Sequence, residues 1–264
     1  MNGSELNKIK HSIIKVLRNS LKNNLFAIVS VGSLDSGNYK ESWSDIDILV
    51  VVEKLDLQIK QKIAQFKNFL EKKCKRRFGI NTITKQEFQN PALPTISLDG
   101  KTLQALLDLK FSPERLIFSK NKRLSKIYSP NKKEIRNYSI SNFFMFLLRN
   151  RKTLAGQIPQ TLKEYKDMTE REIRASFIMA KLAIQYFTLH NCRNNKEIIQ
   201  KAENLFKDFS SKTLKTNLRL IDKWNQINNV HQLDKILKST DLFIEKFSHY
   251  ISEIIRKNRI LNQD

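Results

Sequence analysis

The stretch VGSLDSGNYKESWSDIDILVV, Val31–Val51, decides the fold prediction. It begins at the end of one apolar run, LFAIVSV (Leu25–Val31), and finishes inside a second, IDILVVV (Ile46–Val52). Short apolar runs rich in β-branched residues are typical of buried strands. The segment between them is polar and contains glycine. The pattern therefore predicts two buried strands joined by a polar loop, with acidic residues where the second strand starts.

Two aspartates mark the start of the second run. Asp45 and Asp47 are two residues apart, so on a strand their side chains project from the same face. Carboxylates held this close repel each other, and a divalent cation between them relieves the repulsion. Ligands that are all oxygen favour Mg²⁺ or Mn²⁺ over zinc. The alternative, in which Asp45 caps the strand and Asp47 faces solvent, explains less well why Asp47 lies within an apolar run. We predict Asp45 and Asp47 as a metal-binding, catalytic pair.

Gly32 and Ser33 follow the first strand directly. Gly32 has no Cβ, so a phosphate group can approach its backbone, and Ser33 adds a hydroxyl donor. Free backbone amides at such a bend would face the anion. A phosphate cradle beside a metal site suits in-line nucleotidyl transfer, where the metal neutralises charge on the phosphate under attack.

This arrangement resembles the DNA polymerase β-like nucleotidyltransferase superfamily. The family motif is a hydrophobic residue, Gly, then Gly or Ser, a short spacer and Asp-x-Asp or Asp-x-Glu between apolar residues. The matching residues are Gly32, Ser33, Ser44, Asp45 and Asp47. The resemblance covers residues 1–105 and implies ATP as nucleotide donor, bound at Gly32, Ser33 and Ser44, with Mg²⁺ or Mn²⁺ at the aspartates. The later helices resemble the C-terminal bundles of kanamycin- and streptomycin-type nucleotidyltransferases.

Family members usually have a third carboxylate on a neighbouring strand, and here its expected position in FGINTIT (Phe78–Thr84) is Asn81. An amide can lend its oxygen to a metal but cannot accept a proton at neutral pH. Three interpretations stay open. Glu53 or Glu87 supplies the missing charge; two aspartates suffice and the acceptor is activated otherwise; or the domain binds nucleotide with little or no catalysis.

The position after the Gly-Ser pair also lacks the cation that would bind the triphosphate. Many family members have arginine after the Gly-Ser pair, whereas this chain has Leu34-Asp35-Ser36. The resemblance suggests Lys181, on a long helix, as a replacement, with Arg174 on the same helical face. The alternative is that both are solvated charges on a lysine-rich helix.

The remaining periodicity predicts an α+β chain. A helix over Ser4–Asn19 and another over Leu57–Lys73 flank the strands, and Thr95–Leu98 is a candidate fourth strand. From Ser139 onward the pattern is helical, and Thr169 with Glu172 has the spacing of a capping box. We predict a small mixed-sheet nucleotidyltransferase domain over 1–108, a basic connector over 109–138 and an all-α helical bundle over 139–264.

Composition limits the partners. The 264 residues include 48 Lys and Arg against 26 Asp and Glu, which gives a net charge of +22. This favours a polyanionic partner such as RNA, although scattered lysines alone also produce such a charge. The two cysteines and four histidines have no zinc-site spacing, and no apolar run is long enough for a membrane span. We expect reduced thiols and a cytoplasmic protein, of open oligomeric state.

Together these patterns predict a metal-dependent nucleotidyltransferase that moves AMP from ATP to a hydroxyl of a small molecule, protein or RNA. The alternative is a catalytically weak or inactive protein of the same fold that binds nucleotide or RNA.

Overall fold

The chain forms two compact units in a computed structural model, which describes residues 3–32, 44–91, 100–120, 127–207, 209 and 211–260. The first unit is Met1–Glu134 and the second is Ile135–Asp264. The first combines a sheet with helices, whereas the second is helical in its described part. The predicted α+β class, with a mixed-sheet domain followed by helices, is confirmed.

The first unit contains a four-stranded mixed sheet. Its elements are α1 (Gly3–Leu21), β1 (Leu25–Val31), β2 (Ile46–Val52), α2 (Leu57–Cys74), β3 (Phe78–Thr84), α3 (Lys85–Gln89), α4 (Gly100–Phe111) and β4 (Leu116–Ser119). The strand order is β3-β2-β1-β4. β1 pairs antiparallel with β2 and β4, while β2 and β3 are parallel. The strands predicted from LFAIVSV, IDILVVV and FGINTIT are confirmed.

The two faces of β2 have different roles. Its residues Ile46, Ile48, Val50 and Val52 belong to the core that α1 and α2 form with the sheet. Asp47 and Leu49 alternate with them and therefore project from the opposite face. On that face Asn81 of β3 donates a hydrogen bond to Thr102 of α4. The alternation of apolar side chains thus places Asp47 and Asn81 on the face to which α4 contributes.

The fourth strand lies within the segment predicted as a connector. Leu116–Ser119 pairs with β1 through Ala27, Ile28 and Val29. The sequence analysis missed it because LIFS is short and flanked by basic residues, so its composition resembled a linker. The candidate strand Thr95–Leu98 lies outside the described residues, and the boundaries 1–108, 109–138 and 139–264 stay a prediction.

The second unit is built around aromatic side chains. Its helices are α5 (Lys132–Gly156, starting in the last residues of the first unit), α6 (Leu162–Thr188), α7 (Asn195–Leu205), α8 (Lys212–Asp222) and α9 (Val230–Ile260). The ring of Phe247 on α9 lies 6.1 Å from that of Phe143 and 5.4 Å from that of Phe206. No helix in the described ranges is both long and apolar enough to cross a bilayer.

The start of α6 differs from the prediction. The capping box is Thr161 with Glu164, and Thr169 lies inside the helix, where its hydroxyl donates to the Leu233 carbonyl oxygen at 3.4 Å. The same Thr-x-x-Glu pattern occurs twice, one after the other, at 161–164 and 169–172. Spacing alone could not decide which one caps the helix, and the prediction of Thr169 with Glu172 was wrong.

Candidate active site

Asp47 lies near the start of β2, between β1 and β3. It is half-buried, and its strand partners are Val31 and Gly79. Ser44 and Asp45, also half-buried, come directly before the strand. The strand is anchored here because the Ile46 amide donates to the Arg77 carbonyl oxygen at 3.0 Å. Gly79 contributes no side chain, so the β3 neighbour of Asp47 leaves that flank of the carboxylate open.

Gly32 meets Asp47 where β1 ends. Its φ is +72°, a left-handed conformation that disfavours residues with a Cβ. A Cβ built on Gly32 would lie 3.9 Å from Asp47 Oδ2 and would fill space beside the carboxylate. The glycine bend and this aspartate, which the sequence analysis expected to meet, are therefore in direct proximity. Ser33 lies outside the described residues.

A buried arginine holds the Gly32 backbone. Arg115 Nη1 donates to the Gly32 carbonyl oxygen at 3.1 Å and lies 3.3 Å from Asp108 Oδ2. Both side chains of this ion pair are less than one-tenth exposed. Ser30 Oγ donates in turn to the Arg115 carbonyl oxygen at 3.3 Å. The sequence analysis counted Arg115 among connector charges and missed Asp108; the only local signal was an arginine directly before an apolar run.

Asn81 occupies the site position where a third carboxylate was expected. It pairs with Leu49, two residues along the sheet from the Asp47–Gly79 pair. Strand spacing and rise put its Cα roughly 8 Å from that of Asp47, on the same face. Its Nδ2 donates to Thr102 Oγ1 at 3.3 Å. The side chain can offer an oxygen to a ligand but not a basic group.

The alternative carboxylates lie at the other end of the sheet. Glu53 is six residues beyond Asp47, which is about 20 Å along an extended strand. It forms ion pairs with Lys85 at 3.3 Å and Lys120 at 3.7 Å. Glu87 follows the far end of β3, where it accepts hydrogen bonds from the amide and hydroxyl of Thr84. Neither residue can supply the missing charge beside Asp47.

The predicted phosphate-binding cations lie in the second unit. Lys181 and Arg174 are both on α6 and both half-buried. Arg174 forms an ion pair with Glu170, one turn earlier, at 2.7 Å. The charge of Lys181 acts on Cys192. The assignment of Lys181 to a bound triphosphate stays a prediction.

The residues present fit a hard divalent cation. The donors that Asp45 and Asp47 offer are carboxylate oxygens, which Mg²⁺ and Mn²⁺ prefer. Gly32 places no Cβ at the position that lies 3.9 Å from Asp47 Oδ2. Asp45, Asp47 and the Gly32 bend are therefore the residues that would hold a metal–phosphate group.

Comparison with known families agrees with this geometry. Residues 12–103 match the family model described as a nucleotidyltransferase domain, a range that includes Gly32, Asp45, Asp47 and Asn81. These residues are therefore similar to a nucleotidyltransferase domain. The family resemblance read from Val31–Val51 is confirmed.

The similarity in fold to a solved structure extends beyond residues 12–103. The spectinomycin adenyltransferase from Enterococcus faecialis, whose crystal structure contains ATP and spectinomycin, superposes with a TM-score of 0.53. The match covers 92% of this chain and 100% of the other at 16% identity, so it shows a shared fold. No curated protein matches the chain significantly.

Proposed function

We propose that the protein transfers AMP from ATP to a hydroxyl group, with Asp45 and Asp47 holding Mg²⁺ or Mn²⁺. The proposal depends chiefly on the bend at Gly32, whose left-handed backbone lies beside Asp47 Oδ2. Because position 32 has no Cβ, a triphosphate could approach the backbone beside the carboxylates. The match to a nucleotidyltransferase domain supports the same reaction class.

In the proposed reaction, an acceptor hydroxyl attacks the α-phosphate, a new P–O bond forms, and the bond to the β-phosphate breaks to release pyrophosphate. The metal would supply charge neutralisation on the phosphates. The backbone at Gly32 and the hydroxyls of Ser33 and Ser44 would orient the triphosphate. The acceptor proton passes to solvent or to a group on the acceptor, because Asn81 cannot take it.

The test uses ATP labelled on its α-phosphate, Mg²⁺ and three kinds of acceptor: spectinomycin, RNA and the protein itself. We expect label on one acceptor together with pyrophosphate, and both products formed at least about 100-fold more slowly with Asp47→Asn or Asp45→Asn. Glu53→Gln is the matched control, because it removes a carboxylate from the same chain segment at the other end of β2. Full transfer by Asp47→Asn would refute the assigned site.

A second function, nucleotide or RNA binding without turnover, is favoured by Asn81. The third carboxylate is absent from the expected position, and Glu53 and Glu87 lie elsewhere. The substitution Asn81→Asp discriminates between the two functions, since Thr102 Oγ1 can donate to a carboxylate at that position. If the natural chain binds ATP without releasing pyrophosphate and Asn81→Asp gains transfer, the binding function is correct.

RNA binding needs its own measurement in that case. The net charge of +22 favours electrostatic association with RNA. However, Arg115 is buried in an ion pair, and Lys120 contacts Glu53. These two residues of the basic segment are thus engaged within the first unit. If RNA binds through these charges, the logarithm of its association constant should fall linearly with the logarithm of salt concentration. An RNA affinity that is the same with and without ATP would show that RNA binds at a surface separate from the nucleotide site.

A further inference from the structure

A second cluster of ligand-type side chains lies between α6 and α7. The helix α6 ends in a left-handed residue, Leu189 at φ +60°, and Asn194 caps α7 by accepting a hydrogen bond from the Glu197 amide. The turn between them brings together His190, Cys192 and Glu197. A nitrogen, a sulfur and a carboxylate oxygen from these residues all lie within 4.8 Å of one another.

The three side chains are arranged with a buried and an open side. Cys192 is 2% exposed, whereas His190 and Glu197 are half-buried. His190 Nε2 and Glu197 Oε1 are 2.5 Å apart, and the other carboxylate oxygen of Glu197 accepts from the Arg193 amide at 2.7 Å. The sulfur thus forms the inner wall of the cluster, and the imidazole and carboxylate form its outer wall, where an ion can enter.

We propose that His190, Cys192 and Glu197 form a zinc site. Mixed nitrogen, sulfur and oxygen donors are the ligands that Zn²⁺ takes in proteins, and a thiolate disfavours Mg²⁺. Zinc–ligand bonds of about 2.0–2.3 Å place tetrahedral ligand atoms roughly 3.3–3.7 Å apart. The cluster reaches this geometry if His190 and Glu197 separate by about 1 Å as the ion enters. Three protein ligands leave the fourth position to water.

The same residues fit a nucleophilic cysteine poorly. Burial, followed by the negative charge of Glu197, raises the pKa of Cys192 to about 11, against the weaker opposing effect of Lys181 and Lys201. A nucleophilic cysteine needs a lowered pKa. Burial also acts to raise the pKa of Glu197, but hydrogen bonds from Arg193 and His190 and nearby positive charges lower it overall, which leaves a carboxylate ready to bind a cation. The two lysines oppose a divalent ion, so we expect weaker binding than at a four-ligand structural site.

The sequence analysis found no zinc spacing because the three ligands come from a turn and the helix after it. His190 and Cys192 are only two residues apart, and the third ligand is an acidic residue, which spacing rules for cysteine and histidine overlook. The left-handed end of α6 makes the cluster possible by reversing the chain direction over 189–194.

The test measures zinc binding to the chelator-treated full-length chain in excess Mg²⁺, which occupies any oxygen-only site at Asp45 and Asp47. Competition with a chromophoric zinc indicator should give one bound zinc per chain. Cys192→Ser should weaken binding by at least about 100-fold, since even the loss of a group that only hydrogen-bonds a metal ligand costs about 10–100-fold. Binding that is unchanged by Cys192→Ser would overturn the proposal, as would no binding by the natural chain.

Two controls keep the result specific. Cys74→Ser removes the other cysteine, and His249→Gln removes a histidine that is likewise paired with a glutamate, Glu253 at 3.3 Å. Neither change should alter zinc affinity. Cobalt in place of zinc should give a thiolate-to-metal absorption band that Cys192→Ser abolishes and Cys74→Ser preserves; the reverse pattern would contradict the site. If Cys192→Ser fails to fold, His190→Gln, at the exposed side, replaces it and should weaken zinc binding similarly.

Discussion

Buried carboxyl groups have opposite surroundings in the two units. In the first unit, Asp108 lies 3.3 Å from the guanidinium of Arg115, and both side chains are nearly excluded from solvent. In the second unit, Glu172 is 3% exposed, and its partner is an amide, Asn150, whose Nδ2 donates to it at 2.6 Å. The first group is compensated by a permanent positive charge, whereas the second has a neutral partner.

The difference shows what each carboxyl group does. Arg115 compensates Asp108 and also holds the Gly32 carbonyl oxygen, so this buried charge pair supports the bend beside Asp47. Burial raises the pKa of Glu172 to about 7; the Asn150 hydrogen bond opposes this, while the charges of Asp241 and Glu245 add to it. Glu172 therefore carries a proton over much of the acidic range. The fixed charge of Arg115 supports the Gly32 bend, and the titration of Glu172 makes the stability of the second unit depend on pH.

The largest expected effect follows from removing the cation of the first pair. Arg115→Met removes the cation that faces the buried carboxylate of Asp108, and breaking a buried ion pair in this way typically costs about 3–5 kcal/mol. Urea denaturation followed by circular dichroism measures the loss. Lys120→Met is the control, because its ion pair with Glu53 is solvent-exposed and worth less than about 1 kcal/mol. The double variant Arg115→Met/Asp108→Leu should recover most of the stability. Equal costs for Arg115→Met and Lys120→Met would remove the distinction between the buried and exposed pairs.

The next effect concerns the carboxylate beside the bend. Asp47→Asn keeps the side-chain shape and removes the charge that would hold the metal, and we expect the transfer rate to fall about 10²–10³-fold, as for loss of other preorganised electrostatic contacts. The initial rate of pyrophosphate release measures it. Glu53→Gln, at the lysine-paired end of β2, should leave the rate within about twofold of the natural value under the same assay. A rate equally sensitive to both changes would mean that overall charge, not position, matters.

Local periodicity predicted much of the fold, and long-range contacts account for what it missed. The apolar alternation of β2 and the helical spacing of Ile9, Ile13 and Leu17 required no knowledge of distant residues. The proximity of Gly32 and Asp47 followed from one strand ending where the next begins. Arg115 reaches Gly32 across 83 residues, and nothing in the local sequence marks that contact. The edge strand β4 was missed for a similar reason, because its short apolar run pairs with β1, which is distant in sequence.

The third effect is a dependence of stability on pH in the second unit. The pKa of Glu172 is raised from an ordinary 4.5 to about 7. A carboxyl group with a raised folded-state pKa contributes stability that is fully present below about pH 4.5 and is lost as the pH rises through 7. The shift corresponds to about 3 kcal/mol. Glu172→Gln stays neutral at every pH, and its amide can donate to Asn150 Oδ1, which has no hydrogen-bond partner among the described residues.

Thermal melts between pH 4.5 and pH 8 test this: the natural chain should lose stability with rising pH, and Glu172→Gln should lose much less. Glu164 provides the opposite sign, because hydrogen bonds from the amides of Gln160 and Thr161 lower its pKa. Its contribution is present above its ordinary pKa and is lost as the pH falls, so Glu164→Gln should destabilise the chain at neutral pH. Parallel pH profiles for both variants would contradict the raised pKa that burial gives Glu172.

The smallest expected effect concerns Gly32, whose carbonyl oxygen accepts a hydrogen bond from Arg115. Gly32→Ala forces a Cβ into a left-handed conformation, which costs about 1–2 kcal/mol, although its distance of 3.9 Å from Asp47 Oδ2 is an ordinary contact. The Cβ would occupy the space proposed for a phosphate, so the KM for ATP should rise more than kcat falls. Gly156→Ala is the control, because a Cβ there meets nothing within 4 Å, and at a helix end alanine should be neutral or slightly stabilising. If Gly32→Ala loses stability but keeps its KM, the glycine serves only the turn, and the triphosphate must approach Asp47 from the side of Gly79.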